Sequence, residues 1–164
     1  MDFFETVKKR ISVRHYSQKP IEENLLAKII DCGRLAPTAR RVQPWRFITV
    51  TDKKDLAWLG ETAPNGKFIK DAQAVIIVIC EDTKYYLEDG CAATENILLA
   101  STALGIGACW VAGDKKDYAS EVLRHFGAAE NHKLISLISL GYPQSEPVPQ
   151  PKKALSEVLC KGKL

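Results

Sequence analysis

The chain has 164 residues, and its 23 basic and 20 acidic side chains give a formal net charge of +3. The length suits one domain, and 46% hydrophobic with 26% charged residues is a globular composition that excludes a disordered chain. So small a positive charge does not by itself indicate a nucleic-acid-binding protein. The five cysteines lack C-x-x-C and zinc-site spacing, so neither a disulfide scaffold nor a structural zinc site is expected.

The first half of the chain predicts helices around one strand. Apolar residues at helical spacing predict a short helix over residues 3–10 and a second helix over residues 21–33. Prolines bracket a loop over residues 37–44, and the β-branched and aromatic residues of Arg46–Thr51 predict a strand. Leu56–Lys67 is ambiguous and favours a helix followed by an Asn-Gly turn.

The second half of the chain predicts three strands and two helices. Ala74–Cys80 is dense in Val and Ile, which is typical of a strand buried on both faces. Cys91–Leu104 predicts a helix that is apolar almost all the way round, so it is either central or covered by a second subunit. Ala108–Val111 and Leu134–Leu140 predict strands, with a helix over Tyr118–Phe126 between them.

Four prolines between positions 143 and 151 predict an extended tail that crosses a surface of this subunit or of another one. The order of elements predicts an α+β fold with α/β-like layering, helices on both sheet faces and a single domain over residues 1–164. The N-terminal residues 1–10 do not match a signal peptide, and the longest apolar run is too short to cross a bilayer. A soluble, cytoplasmic protein without a membrane partner is therefore expected.

Side-chain catalysis has little support in the sequence. No histidine lies near a Ser or Cys in a recognised nucleophile context, and adjacent acidic pairs such as Glu88-Asp89 are typical of helix ends and solvated positions. Gly105 and Gly107 do not complete a dinucleotide fingerprint, because Trp110 stands where the third glycine is required.

Three basic clusters are more informative. They lie over residues 8–15, over residues 34–46 and at Lys152-Lys153, and arginine predominates in the second cluster. One such cluster is most often a solvated face. Because the arginine fork suits bidentate recognition of phosphate, three clusters that converge on one anion would suit a phosphorylated cofactor.

Four segments resemble the nitroreductase-like flavoproteins. Arg10–Tyr16 resembles their R-x-S-x-R-x-[YF] opening, and Ala36–Phe47 resembles their A-P-S-x-x-x-x-Q-P-W-x-F loop and strand. Gly105–Gly113 resembles their G-L-G-x-x-x-x-x-G segment, and Leu140–Pro143 resembles their L-G-Y-P strand end. The basic pair Lys152-Lys153 follows at the usual distance. The segments occur in the family's order and span nearly the whole chain.

The resemblance implies a nitroreductase-like fold with a central mixed, largely antiparallel sheet flanked by helices. It also implies a homodimer that binds FMN between its subunits, with the tail over residues 143–164 crossing to the partner and Cys91–Leu104 as the dimer core. The implied activity takes hydride from NADH or NADPH and passes electrons to a nitro, quinone-like or other small electrophilic acceptor by a ping-pong mechanism.

The resemblance further implies a cofactor site and no catalytic side chain, since the flavin carries the chemistry. The phosphate, ribityl chain and pyrimidine edge would be held by Arg10, Ser12 and Arg14. The flavin would also be reached from the partner subunit by the loop residues Pro37, Thr38, Ala39 and Arg41. The N5 edge would face the backbone N–H groups of Ala112 and Gly113, and Lys152 or Lys153 would complete the phosphate site. A cationic Arg14 would stabilise the reduced flavin. The implied FMN-binding residues are Arg10, Ser12, Arg14, Pro37, Thr38, Ala39, Arg41, Ala112, Gly113, Lys152 and Lys153.

Two features depart from the family pattern, and two other functions stay open. Arg41 stands where the family often has a small polar residue, and the short stretches after Thr51 and after Cys80 predict an open substrate pocket.

One alternative is an FMN-binding protein without nitroreductase turnover. The other is a small basic nucleic-acid-binding domain, which lacks a recognised motif and has only 8% aromatic residues for base stacking.

Overall fold

The computed structural model describes residues 1–163 and has a four-stranded sheet at its centre. The strands lie in the order β1-β2-β4-β3, and each neighbouring pair is antiparallel. An isolated parallel bridge between Ser12 and Ala108 adds the mixed character. The predicted mixed, largely antiparallel sheet is therefore confirmed. The strands are β1 (Trp45–Val50), β2 (Ala74–Glu81), β3 (Gly107–Ala112) and β4 (His132–Gly141).

Six α-helices and two short 3₁₀ turns surround this sheet in the described part of the chain. Every predicted helix is present, with ends that differ by a few residues. The predicted helix from Leu56 begins earlier, because the Asp52 carboxylate caps the backbone N–H groups of Lys54 and Asp55. The helices are α1 (Phe3–Lys9), α2 (Glu23–Arg34), α3 (Lys53–Thr62), α4 (Tyr86–Ala103), α5 (Ala119–His125) and α6 (Leu155–Val158), and the 3₁₀ turns are Ala39–Arg41 and Lys67–Asp71.

Strand β2 separates two hydrophobic cores, and residues 74–80 are buried, as predicted. Because side chains alternate across a strand, Ile76 and Val78 face the core under α2 and α4, while Val75 and Ile77 face the core under α3 and α5. The two cores lie on opposite faces of the same sheet. We call them the α2/α4 face and the α3/α5 face.

Helix α4 lies at the centre of the α2/α4 face, packed between α2 and the sheet. Gly33 of α2 allows this close approach, since a Cβ atom there would lie 2.9 Å from Ile97 Cγ1. Helix α4 is thus central within a single chain, and its predicted role as the core of a dimer stays a prediction.

The C-terminal tail has no helix or strand over residues 146–154 and then forms the single helical turn α6. The prediction of an extended tail is wrong for Leu155–Val158 and stays a prediction for the rest of residues 143–164. Its apolar side chains Val148 and Leu155 are 75% and 71% exposed. That the tail crosses to a second subunit stays a prediction.

No helix in residues 1–163 is both long enough and apolar enough to cross a membrane.

Candidate functional site

Residues 10–16 lie along the outer edge of β3. Val13 donates its backbone N–H to the carbonyl oxygen of Ala108 at 3.0 Å, next to the parallel bridge of Ser12. Gly107 makes this close contact possible, because a Cβ atom there would lie 2.8 Å from the Cβ of Val13. Residues 10–16 are thus fixed against the sheet by backbone contacts, and these contacts do not engage the side chains on the outer side of the segment.

The end of the same segment is anchored by Tyr16. Its buried hydroxyl donates to the carbonyl oxygen of Val13 at 2.6 Å and shares a hydrogen bond of 2.8 Å with the hydroxyl of Ser139. Its ring packs directly against Gly141, where a Cβ atom would lie 2.6 Å from the ring. Burial raises the pKa of Tyr16, so this hydroxyl stays protonated and keeps its role as a donor.

Arg10, Ser12 and Arg14 line one wall of a cleft of about 610 Å³. In an extended segment alternate residues share a side, so these three side chains lie together while Val13 packs inward. The C-terminal tail forms the opposite wall and contributes Lys152. Lys153 is not one of the lining residues. The full lining is Val7, Lys8, Arg10, Ile11, Ser12, Arg14, Val148, Pro149, Gln150 and Lys152.

The cleft is cationic. Its lining includes Lys8, Arg10, Arg14 and Lys152 and, among the described residues, no carboxylate. Arg14 lies over the ring of Phe68 at 5.7 Å, and none of these four cations forms an ion pair within residues 1–163. The arrangement suits a bound anion with several charged oxygens, such as a phosphate group.

The charges of the cleft act on a neighbouring buried thiol in β3. Burial raises the pKa of Cys109, and the positive charges of Arg14 and Arg10 act in the opposite direction.

The loop before β1 has an unusual backbone. Arg40, Arg41 and Gln43 have φ angles of 56°, 60° and 52°, in the left-handed region that favours glycine. Each such residue costs about 1–3 kcal/mol, so tertiary contacts must hold the conformation. This loop contains four of the predicted site residues, Pro37, Thr38, Ala39 and Arg41, and these lie outside the set that lines the cationic cleft.

Asp89 of α4 supplies those contacts. Its carboxylate is 4% exposed and accepts hydrogen bonds from the backbone N–H of Ala39 at 2.8 Å and from the Thr38 hydroxyl at 3.0 Å. The Thr38 oxygen in turn accepts from the backbone N–H of Gln43 at 3.0 Å. The Thr38 hydroxyl, predicted to reach a cofactor, is thus engaged within its own subunit.

The sequence analysis missed Asp89 because it placed the start of α4 at Cys91. The expectation of a helix-end pair is confirmed, since Glu88 and Asp89 both lie in the first turn of α4, but only Glu88 is exposed and Asp89 is buried. With α4 beginning at Tyr86, Asp89 shares a helix face with Ala93 and Ile97, at a spacing of four residues. This spacing is the signal in the sequence that would have identified it as buried.

At the end of β3 the two predicted backbone donors point to different sides of the strand. Gly113 donates its N–H to the carbonyl oxygen of Ile135 at 3.0 Å, so this group is engaged within the sheet. Backbone groups of successive strand residues point to alternate sides, so the N–H of Ala112 points away from β4 and toward the open edge. Its carbonyl oxygen accepts a hydrogen bond from the Tyr118 hydroxyl.

The loop that follows β3 is also held by the first turn of α4. The Tyr86 hydroxyl donates to the Asp114 carboxylate at 2.8 Å. This hydrogen bond, together with burial, raises the pKa of Tyr86 to about 12. The start of α4 therefore fixes two loops, one through Asp89 and one through Tyr86, which sequence analysis did not identify. No group of three or more metal-ligating side chains occurs in residues 1–163.

Comparison with known proteins identifies the class to which this fold and site belong. The model described as "Nitroreductase family" matches residues 7–86, and the model described as "Putative TM nitroreductase" matches residues 55–163. A protein of Methanothermobacter thermautotrophicus named "Putative NADH dehydrogenase/NAD(P)H nitroreductase" is 35% identical over 153 residues, which are 90% of this chain and 80% of that protein.

Two solved structures are similar over almost their whole length. One, from Bacteroides thetaiotaomicron and carrying that same name, has a TM-score of 0.93 and 29% identity, and covers 98% of this chain and 97% of its own. The other, named "FMN-dependent Nitroreductase" and from Clostridium difficile R20291, has a TM-score of 0.92 and 26% identity, with 98% and 99% covered. The chain belongs to the nitroreductase family and has its fold.

Proposed function

We propose that the protein is an FMN-dependent oxidoreductase that takes hydride from NADH or NADPH and reduces a nitro, quinone-like or other small electrophilic acceptor by a ping-pong mechanism. The observation that carries this proposal is the convergence of Arg10, Ser12, Arg14 and Lys152 on one cleft. Family membership and the similarity to a structure named as FMN-dependent support it.

The residues of the cleft fit the phosphate of FMN. Arg10 and Lys152 supply cationic donors from opposite walls, and the Ser12 hydroxyl supplies a neutral one. Hydrogen bonds between charged donors and phosphate oxygens are about twice as strong as neutral ones. We therefore assign the phosphate to these three residues, and Lys152 rather than Lys153 to the contact from the tail.

FMN, when bound, would supply hydride acceptance and electron donation, so the protein needs to bind and orient rather than to transfer protons. Arg14 would place a cation at the pyrimidine edge, and a fixed cation there favours additional negative charge. The N–H of Ala112, directed to the open sheet edge, is our candidate donor toward N5. Gly113 already donates its N–H to Ile135, so we do not assign it to N5.

We propose further that the active form is a homodimer. Phe3, Phe4 and Leu155 are 65%, 74% and 71% exposed, and they lie on α1 and in the tail, where a second subunit would cover them. In the dimer the loop of Pro37–Arg41 would reach the flavin of the partner, which agrees with its position outside the cleft of its own chain. A cytoplasmic location belongs to the same proposal, and the absence of disulfides among the five cysteines supports it.

The test is anaerobic reduction of the FMN-loaded protein. We expect the visible flavin absorbance to bleach on addition of NADH or NADPH and to return when a nitroaromatic or quinone is added. Absorbance that bleaches with dithionite but with neither nicotinamide would favour the second candidate, an FMN-binding protein without this turnover. A protein that retains no flavin after reconstitution would contradict both.

A further inference from the structure

We propose that Asp89 is a positioning residue that holds the loop over residues 37–43 in the shape that the cofactor requires. This inference rests on the proposed function, because it assigns that loop to FMN binding. Asp89 itself lies in the core and reaches the ligand only through Thr38 and Ala39.

The first argument is the environment of the carboxylate. Asp89 is 4% exposed and forms no ion pair with any residue of the described chain. A buried charge of this kind is stabilised by hydrogen bonds and local dipoles. Three groups stabilise it: the Thr38 hydroxyl, the Ala39 backbone N–H and the first turn of α4, whose free N–H groups favour negative charge. Two of these three come from the loop.

The second argument is the conformation of the loop. Three of its residues have left-handed φ angles without being glycine, so the isolated sequence does not favour this shape. The hydrogen-bond chain from Asp89 through Thr38 to Gln43 spans the strained residues from one end to the other. The acid and the loop thus stabilise each other. Removing the acid would release the loop before ligand arrives, and binding would then include the cost of ordering it.

The third argument is that the start of α4 serves both loops. Tyr86, one turn before Asp89, holds Asp114 in the loop that follows Ala112. The same turn of α4 therefore holds the loop before β1 through Asp89 and the loop after β3 through Tyr86.

The test compares Asp89→Asn with Thr94→Val in the full-length chain, by hydrogen–deuterium exchange followed by mass spectrometry without FMN. Thr94 is a matched control, since it lies on the same helix, is fully buried and bonds to Ser136 rather than to the loop. We expect the amides of Ala39 and Gln43 to exchange about 10- to 100-fold faster in Asp89→Asn, as loss of a charge-assisted bond predicts. Thr94→Val should leave them unchanged.

FMN titration of the same proteins gives the second readout. We expect Asp89→Asn to weaken FMN binding by about 10-fold or more and Thr94→Val to leave it unchanged at equal loss of thermal stability. If Asp89→Asn does not fold, Thr38→Val breaks the same chain, and Thr38→Ser should restore slow exchange and FMN affinity.

The two outcomes that overturn the inference differ from the one that overturns the proposed function. Unchanged loop exchange in both Asp89→Asn and Thr38→Val would show that Asp89 does not hold the loop. Faster exchange with unchanged FMN affinity would show that the loop does not serve the cofactor. Failure of the wild-type chain to bind FMN would contradict the proposed function, whereas the exchange data would still measure the role of Asp89 in the loop.

Discussion

The α3/α5 face of the sheet is completed within one chain, in the sense that large apolar side chains of α3 are buried there. At the edge formed by α1 and the tail, several such side chains are exposed. Leu56 and Leu59 of α3 are fully buried, and Trp58 stacks on His125 of α5 at 3.8 Å to close that side. On the other side Phe3 and Phe4 are more than half exposed. Apolar side chains of this size are normally buried, so the contrast supports the proposed position of a second subunit at this edge.

The largest effect is expected on the completed face. Leu59→Ala removes a fully buried side chain and should lower the free energy of unfolding by about 2–5 kcal/mol. Val148→Ala in the exposed tail should change it by less than about 0.5 kcal/mol in the dissociated chain. Urea unfolding at low protein concentration measures both, and equal losses would contradict the contrast between the two regions.

The next effect concerns the open edge. Phe4→Glu places a charge where we propose that a second subunit packs, and it should weaken dimerisation by about 2 kcal/mol or more. Ser120→Glu on α5 is the matched control, because it adds the same charge to an exposed position on the completed side. Sedimentation equilibrium distinguishes them. A wild-type chain that stays monomeric and binds FMN would refute the shared site.

The next prediction compares the effects of Arg14 and Arg10, within the cationic cleft, on the reduction potential of bound FMN. Reduction adds negative charge to the flavin and none to its phosphate, so Arg14→Ala should lower the two-electron potential. A loss of about 1.4 kcal/mol corresponds to about 30 mV. Arg10→Ala should loosen FMN and leave the potential nearly unchanged. The measurement is a redox titration of both variants saturated with FMN, and equal potentials in wild type and Arg14→Ala would contradict the assignment.

The smallest effect is a dependence on pH at the start of α4. The hydrogen bond to Asp114 raises the pKa of Tyr86 from 10.0 to about 12, so the folded chain holds this proton more tightly than the unfolded chain. The stabilisation is complete below about pH 10 and is lost as the pH rises toward 12. Tyr86→Phe should therefore flatten the decline of unfolding free energy in this range. An unchanged slope would show that the hydrogen bond does not persist in solution.

The elements of the fold follow from local sequence patterns, but the ends that matter for the site do not. The density of Val and Ile identified β2, and the Ala- and Leu-rich run identified most of α4. The start of α4 carried no capping signal, because Tyr85 at its N-cap makes no capping hydrogen bond with its side chain. Asp89 was consequently placed outside the helix.

Part of the candidate site could likewise be predicted from the sequence, and part of it could not. The family resemblance grouped Arg10, Ser12 and Arg14, and they line one cleft because alternate residues of an extended segment share a side. The loop could not be predicted, since its left-handed residues are held by Asp89, 50 positions away from Ala39. The choice of Lys152 over Lys153 likewise depends on how the tail lies against the cleft.

The central claim is that the cationic cleft binds the phosphate of FMN, and calorimetric titration of FMN into the flavin-free chain tests it most directly. We compare wild type with Arg10→Ala/Lys152→Ala and with Lys54→Ala/Arg124→Ala, a control that removes two exposed cations from the α3/α5 side. The account predicts that the cleft variant binds FMN about 100-fold more weakly or worse, because two charge-assisted hydrogen bonds are lost, and that the control binds like wild type. Equal affinities in all three proteins would contradict it.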